Sequence, residues 1–487
     1  MEEKDYSPAI KQSLREPFVW AAVLAGVYLA VLPMSNTIAL RSAALVGLLL
    51  VLVSQYRAIE AVRHLGWSVA VWAIYLILFP MFSNDHVVAW QSFTGQWGRG
   101  LLAMLAGAGA ATLWTISKPR KDIFVLGVLS AAPIFVHLIL VTFQIIETGM
   151  IPWGYWGRET HHADLGYAAG HAVLLLSSVM VSGGKNNRIW PATIILCCVS
   201  SLVIARSRAG LAFAVSSVLL VLLLAYLRPG AVQRKKRLTV IAVSLLFGIA
   251  IFALAFKTDP RWNSTLDKLS AGFLGNAMQI QCEGTVLIEA EIVKRFVSED
   301  QKNTLIDSVR SGDASRITAL RAGLELALMN PWGSDGSRQA FARLLRRECA
   351  EPAIQMAHTH NGWVDTVLAI GWVGGVLYLI VLVSFFQKGK QSYQANGPVV
   401  NPWCLVLVAL PVFWLIRGLT DSVYRDHMLE MQCFLMAYAL VRVEFFKAVL
   451  IKRKLIRPNL RRNLRPKRDS KLPPSLGQSI SRSHADW

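Results

Sequence analysis

The sequence predicts an all-α fold: a polytopic membrane bundle of about twelve transmembrane helices, interrupted by one large, mostly helical outward loop. Three observations lead there. Of the 487 residues, 54% are hydrophobic and only 16% are charged, against roughly 25% charged in soluble domains. Apolar runs of about twenty residues, the length a helix needs to cross a bilayer, recur from end to end. Lysine and arginine collect at every second junction between those runs. A formal net charge of +20 would suggest nucleic acid as a partner of a soluble protein. Here the basic residues sit in short segments between apolar runs, so the expected partners are membrane lipids and not nucleic acid.

The candidate spans are 17–34, 37–54, 66–82, 99–116, 122–146, 164–182, 189–205, 209–227, 238–256, 361–386, 402–418 and 428–446. Basic residues follow the second span (Arg57, Arg63), the fourth (Lys118, Arg120, Lys121), the sixth (Lys185, Arg188), the eighth (Arg228, Arg234, Lys235, Lys236, Arg237) and the tenth (Lys388, Lys390). A basic tail follows the twelfth. The positive-inside rule places these junctions and both termini in the cytoplasm. A single missed span would invert the alternation. The opening MEEKDYSPAIKQSLR lacks a short apolar stretch with a small-residue cleavage site, so the first run is expected to be an uncleaved span. The chain then divides into spans one to nine (1–256), the outward loop (257–360), spans ten to twelve (361–446) and the tail (447–487). The tail is basic and contains Pro and Ser, and it is expected to be disordered and to rest on anionic headgroups.

The loop holds about a hundred residues, too many for an idle connection. Apolar residues recur at helical spacing over 285–311 and 316–330, which predicts short helices lying over the bundle. Ile317, Leu320, Leu324 and Leu328 share one face of the second, and Arg316 opens it. Asn330-Pro331-Trp332-Gly333 then breaks the pattern. Cys197, Cys198, Cys404 and Cys433 lie in or beside apolar runs and read as small buried hydrophobes. Cys282 and Cys349 share the loop and are able to pair in an oxidising compartment, but spacing in sequence leaves that open.

Outward arginines carry the chemical information, because positive charge is otherwise kept inside. Arg206 and Arg208 stand in IARSRAG between two spans. Guanidinium groups at membrane level are costly unless they meet anions, and two of them in one turn suit a phosphate or pyrophosphate through forked hydrogen bonds. Headgroup anchoring or a salt bridge is the plainer reading. Arg158 in WGRETHHADLG and Arg316 at the loop helix are able to join them; alone, each would be a solvated surface charge.

His360 occupies the last polar step of HTHNGWVDTVLAIGWVGG, where an apolar run begins and Gly371, Gly374 and Gly375 allow close helix approach. An ordinary imidazole pKa of about 6.5 suits proton transfer near neutral pH. The alternative is a helix cap or a headgroup contact. Asp365, five residues on, does not share the face of His360. Asp421 in RGLTDSVYRDH is placed to orient a histidine or a hydroxyl, or simply to pair with a nearby arginine. No Asp-x-Asp occurs, and neither His161-His162 nor His358-x-His360 has the company of a zinc site. Neither a metal nor a cofactor is therefore expected. No GxSxG elbow or Walker loop is present either.

SRAG around Arg206 and Arg208, RITALRAGLELALMNPWGSDG and HNGWVDTVLAIGWVGG together resemble the O-antigen ligase and polymerase superfamily of bacterial envelopes. The resemblance covers roughly 155–380 by motif. It departs from the family pattern where Gly333-Ser334-Asp335-Gly336 replaces Gly-x-Gly and where Leu320 replaces an aromatic residue. The resemblance implies a membrane glycosyltransferase of the type C kind in a bacterial inner membrane, with its active site on the periplasmic face. The implied reaction is inverting and metal-independent. It moves glycan from undecaprenyl pyrophosphate to a sugar hydroxyl of lipid A–core oligosaccharide. His360 falls on the family's general base; Arg206, Arg208 and Arg316 fall on its pyrophosphate-binding arginines; Arg158 and Asp421 match less specific positions. Chain polymerase and protein O-oligosaccharyltransferase share these motifs. A transporter or flippase of an anionic lipid-linked substrate is the reading from another class, and it expects charged or broken helices at mid-membrane.

Overall fold

The computed structural model describes residues 8–34, 36–55, 57–113, 119–157, 161–182, 188–226, 234–262, 265–295, 299–422, 424 and 426–463. Regular structure among them is helical throughout. The first helices are α1 (Pro8–Val31), α2 (Ile38–Ser54), α3 (Arg57–Leu65), α4 (Trp67–Phe82), α5 (His86–Ser92) and α6 (Gly98–Leu113). Next come α7 (Pro119–Ser130), α8 (Ala132–Thr148), α9 (His162–Ser182), α10 (Ile189–Ile204), α11 (Arg208–Tyr226) and α12 (Arg234–Thr258). The long loop holds α13 (Thr265–Ala271), α14 (Ala277–Glu283), α15 (Val286–Arg295), α16 (Glu299–Ser311), α17 (Asp313–Met329) and α18 (Ala340–Glu348). Three helices close the chain: α19 (Gly362–Val400), α20 (Pro402–Gly418) and α21 (Asp426–Asn463).

Each apolar run of the sequence overlaps a helix, the fifth as the pair α7 and α8, bent by 45°. Among the described residues α9, α11 and α19 are each long and apolar enough to cross a membrane, and the bent pair makes a fourth. Six shorter apolar helices accompany them, in α1, α2, α4, α10, α12 and α20. This is a helical membrane protein. The main core gathers the inward faces of α1, α2, α4, α6, α19, α20 and α21 around the buried Trp72, Trp97, Trp403 and Trp414. A second cluster links α7 to α12, and a third holds α13 to α16 of the loop together. The chain through Glu444 forms one compact unit, and a second begins at Phe445. In that second unit α21 continues as helix to Asn463; the rest of the tail expected to be disordered, 464–487, lies outside the described residues.

The loop differs from expectation in two respects. Over 285–311 the described residues form α15 and α16, and α17 begins at Asp313, so Arg316 stands in its first turn rather than opening it. The buried face of α17 is also mostly small, with Ser315, Thr318, Ala319, Ala322 and Gly323 inside beside one large residue, Leu326. Leu324 and Leu328, on the apolar face read from the sequence, are 44% and 73% exposed. The reason is close approach: a Cβ on Gly323 would lie 2.4 Å from Thr359 and 3.0 Å from Val364. Small side chains bring α17 against the start of α19, and the leucines point the other way.

Gly371 also has a role that its spacing did not suggest. It takes φ +74° inside α19, and a Cβ there would lie 2.6 Å from the carbonyl carbon of Trp332. The Pro331–Gly333 turn fills the break. Trp372 N–H donates to the Pro331 carbonyl at 3.0 Å, and the N–H groups of Ser334 and Gly336 donate to the Ala369 carbonyl at 3.3 and 2.9 Å. The turn thus answers backbone groups left over at the break of α19, and the Tyr75 hydroxyl donates to the Ile370 carbonyl at 2.6 Å, as an apolar setting requires.

Cys282 and Cys349 are bonded, with Cα atoms 5.4 Å apart. The bridge ties the end of α14 to the residue after α18 and spans 67 residues, for which chain entropy alone predicts a stabilisation of about 4 kcal/mol. Cys349→Ser should therefore lower the thermal unfolding midpoint of the purified protein. An unchanged midpoint would show that the bridge contributes nothing to the folded loop.

Candidate active site

Three helices begin at one place. α9 starts with His162, α11 with Arg208 and α21 with Asp426. The first turns of all three line a cavity of about 330 Å³, together with Arg206, Arg261, Arg316, His358, His360, Arg417 and Asp421. The lining holds five arginines against two aspartates, so it is strongly cationic. Helix starts add to this field through their unpaired N–H groups and the positive end of the helix dipole. α9 and α11 are brought together by glycines: a Cβ on Gly166 would lie 2.9 Å from the Cα of Gly210. The Ser207 hydroxyl donates to the His162 carbonyl at 3.0 Å across the same seam.

Arg206 owes its position to the end of α10. Its N–H donates to the Val203 carbonyl, and the Ser207 N–H donates to the Leu202 carbonyl. That pair of bonds is a Schellman helix end, which usually has glycine at the left-handed position. Here an arginine sits there, at φ +51°. Its Nε is buried and has no hydrogen-bond partner among the described residues. Arg208, two residues on, is committed elsewhere. It donates to both carboxylate oxygens of Asp313 at 3.0 Å and lies over the Trp262 ring at 5.7 Å. Arg261 is likewise held: it bonds Asp259 and donates through Nη2 to the Arg206 carbonyl at 2.6 Å. That hydrogen bond to Asp259 raises the Arg261 pKa above its ordinary value.

His360 also takes a left-handed backbone, at φ +56°. Its neighbours hold it there. Asn361 caps α19, its side-chain oxygen accepting from the N–H groups of Trp363 and Val364 at 3.1 and 3.0 Å. Asp365 reaches back to accept from the N–H and the hydroxyl of Thr359, and also from the Ser422 hydroxyl. The Gly362 N–H donates to the Asp421 carbonyl, and the Asn361 amide donates to the Leu419 carbonyl. Asp365, which shares no face with His360, thus acts on it through the backbone.

Asp421 accepts from the Tyr167 hydroxyl at 2.7 Å and from Arg417 Nη2 at 3.3 Å. The pair is not a surface salt bridge, because Arg417 is only 1% exposed. Arg417 lies 4.6 Å from the Tyr167 ring centre and 4.4 Å from that of Phe213. Its Nε and Nη1 have no hydrogen-bond partner among the described residues. Burial alone would raise the Asp421 carboxyl; Arg417, the Tyr167 hydroxyl and His360 outweigh it and hold the carboxyl below its ordinary value. Asp421 is therefore an anion at neutral pH.

Of the six residues singled out in the sequence, Arg206, Arg208, Arg316, His360 and Asp421 line this one cavity. Arg158 lies outside the described residues. Arg261, Arg417, Tyr167, Asp164 and His427 join the lining without having been singled out. Arg417 did carry a signal, an arginine closing an apolar span four residues before an aspartate.

Residues 193–379 match the family model described as O-antigen ligase. This supports membership of the O-antigen ligase superfamily, as the motifs suggested. It also supports a glycosyltransferase of the O-antigen ligase and polymerase type. The matched stretch supplies Arg206, Arg208, Arg261, Arg316 and His360, whereas Tyr167, Arg417 and Asp421 come from outside it. No curated protein matches the chain.

The left-handed Arg206 yields a prediction independent of activity. A non-glycine residue there costs on the order of 1 kcal/mol. Arg206→Gly should therefore melt at a higher temperature than Arg206→Ala, since both lose the guanidinium and only glycine relieves the backbone. Equal midpoints would contradict the helix-end geometry.

Proposed function

We propose that this chain transfers O-antigen glycan from undecaprenyl pyrophosphate to lipid A–core oligosaccharide, on the periplasmic face of a bacterial inner membrane. The bundle crosses that membrane twelve times, with both termini cytoplasmic and the Cys282–Cys349 bridge in the oxidising compartment. The observation that carries this reading is the convergence of His360 with a cluster of arginines in one cavity at the helix starts.

The chemistry is a single displacement. The oxygen of an acceptor hydroxyl attacks the anomeric carbon of the glycan from the side opposite the pyrophosphate. The bond from that carbon to the pyrophosphate oxygen breaks, and the configuration inverts. The hydroxyl proton passes to the His360 imidazole, a contribution of roughly 10²- to 10⁴-fold in rate. Charge gathers on the departing pyrophosphate, where Arg206 and Arg316 take up phosphate oxygens and the helix starts add backbone N–H groups. Arg208 and Arg261 are braced by their aspartates, so they hold the positive field and the shape of the turn. Asp421 and Arg417 position the His360 segment. Cationic side chains supply the leaving-group stabilisation that a divalent ion would otherwise give, and no nucleotide enters the reaction.

The test is transfer in a defined mixture of purified protein, undecaprenyl-pyrophosphate glycan and lipid A–core, with EDTA present. Glycan should appear on lipid A–core, and both His360→Ala and Arg206→Ala should abolish it while the protein still accumulates in the membrane. Longer glycan still on undecaprenyl pyrophosphate would make the chain a polymerase. No product from folded protein would shift the reading to protein glycosylation or to transport, and activity restored only by Mg²⁺ would overturn the metal-free step.

A further inference from the structure

The loop helix α17 is longer than capping the cavity requires. Arg316 in its first turn lines the cavity, while its far end runs on to the Pro331–Gly333 turn set into the break of α19 at Gly371. Gly371 is nine residues past the first residue of α19, and at 1.5 Å per residue that is about 13 Å along the helix. α19 is one of the helices long and apolar enough to cross a membrane. α17 runs alongside it in the same direction, with Gly323 against Val364 and Trp332 against Gly371. The Trp372 ring N–H donates to the Ala327 carbonyl at 3.0 Å between these two contacts. Whatever depth α19 reaches at Gly371, the end of α17 reaches with it.

The exposed face of α17 changes character along this path. Its first half exposes Arg316, and Glu325 is exposed two residues after the Gly323 contact. Beyond Glu325 the exposed side chains are Leu328 at 73%, Met329 at 55% and Trp332 at 75%. Trp372 of α19, bonded to the Ala327 and Pro331 carbonyls, is itself exposed, and so are Val373 and Val376, which follow it on the same helix. Single exposed apolar residues need no explanation, but a run continuous with the outer surface of a spanning helix does. Water is a poor neighbour for this run; lipid is a good one.

We propose that the second half of α17, with the Pro331–Gly333 turn, is a re-entrant arm inside the bilayer. Leu328, Met329 and Trp332 then form a docking face for the acyl chains of a membrane lipid, in the half of the bilayer nearest the cavity. The break at Gly371 is what makes the arm possible, because irregular backbone at that depth is tolerated only where protein satisfies it. On the proposed transfer reaction, an acylated acceptor resting on this face reaches the Thr359–His360 segment without leaving its leaflet, since Gly323 of the same helix touches Thr359.

The experiment is photocrosslinking of the full chain in phospholipid nanodiscs, with a benzophenone amino acid placed at Leu328. Val376 on the outer face of α19 serves as the lipid-facing control, and Arg346, an exposed residue of α18, as the control outside lipid. Mass spectrometry should find a shift of one phospholipid at positions 328 and 376 and none at 346. Adducts at 376 without any at 328, or equal adducts at 328 and 346, would overturn the docking face. Crosslinking requires no turnover, so this result is decided whether or not transfer takes place.

Discussion

Everything at the polar end of this bundle depends on holding five arginines together in one partly enclosed cavity. Like charges at such a place repel one another and lose hydration, so the cluster persists only where anions answer it. Asp313 answers Arg208, Asp259 answers Arg261, and Asp421 answers Arg417. Arg206 is treated differently, with its Nε buried and given no protein partner among the described residues. The excess positive charge is directed into the cavity, where helix starts reinforce it. On the proposed function an anionic ligand completes this arrangement, and the charge pattern and the proposed pyrophosphate leaving group are two views of the same balance.

The two residues at the centre of the account share a backbone feature. Arg206 and His360 both adopt left-handed conformations, which non-glycine residues seldom occupy. Such geometry survives where surrounding bonds over-determine it, and both turns are built that way. The Schellman bonds close one; Asn361, Asp365 and the 419–422 segment close the other. Each turn fixes a candidate site side chain on helix ends rather than on a free loop. The proposed displacement between two lipid-linked substrates calls for this kind of preorganisation.

Much of this was legible in the sequence, and the remainder was hidden for definable reasons. The helical membrane class followed from run length and charge. Arg206, Arg208, Arg316, His360 and Asp421 stood out because polar residues are conspicuous at the ends of apolar runs. Arg261 and Tyr167 did not, because one looks like an ordinary loop charge and the other like an ordinary span residue; only the convergence of distant helix ends gives them a place. The division of labour between Arg206 and Arg208 was hidden too, since it depends on Asp313, more than a hundred residues away. The exposure of Leu324 and Leu328 on α17 was not legible, because the rule that apolar residues point inward assumes water outside. On the lipid-docking proposal, small residues carry the approach to α19 and these leucines meet the bilayer.

The measurement that tests the central claim most directly is binding of undecaprenyl pyrophosphate to the purified wild-type protein, to Arg206→Ala and to His360→Ala. A charged hydrogen bond of about 1.5–3 kcal/mol predicts a loss of roughly ten- to a hundredfold in affinity for Arg206→Ala. His360→Ala, which removes a proton acceptor and no phosphate contact, should bind as the wild type does. Unchanged binding by Arg206→Ala, or weakened binding by His360→Ala alone, would contradict the assignment of the arginine to the pyrophosphate and of the histidine to the proton.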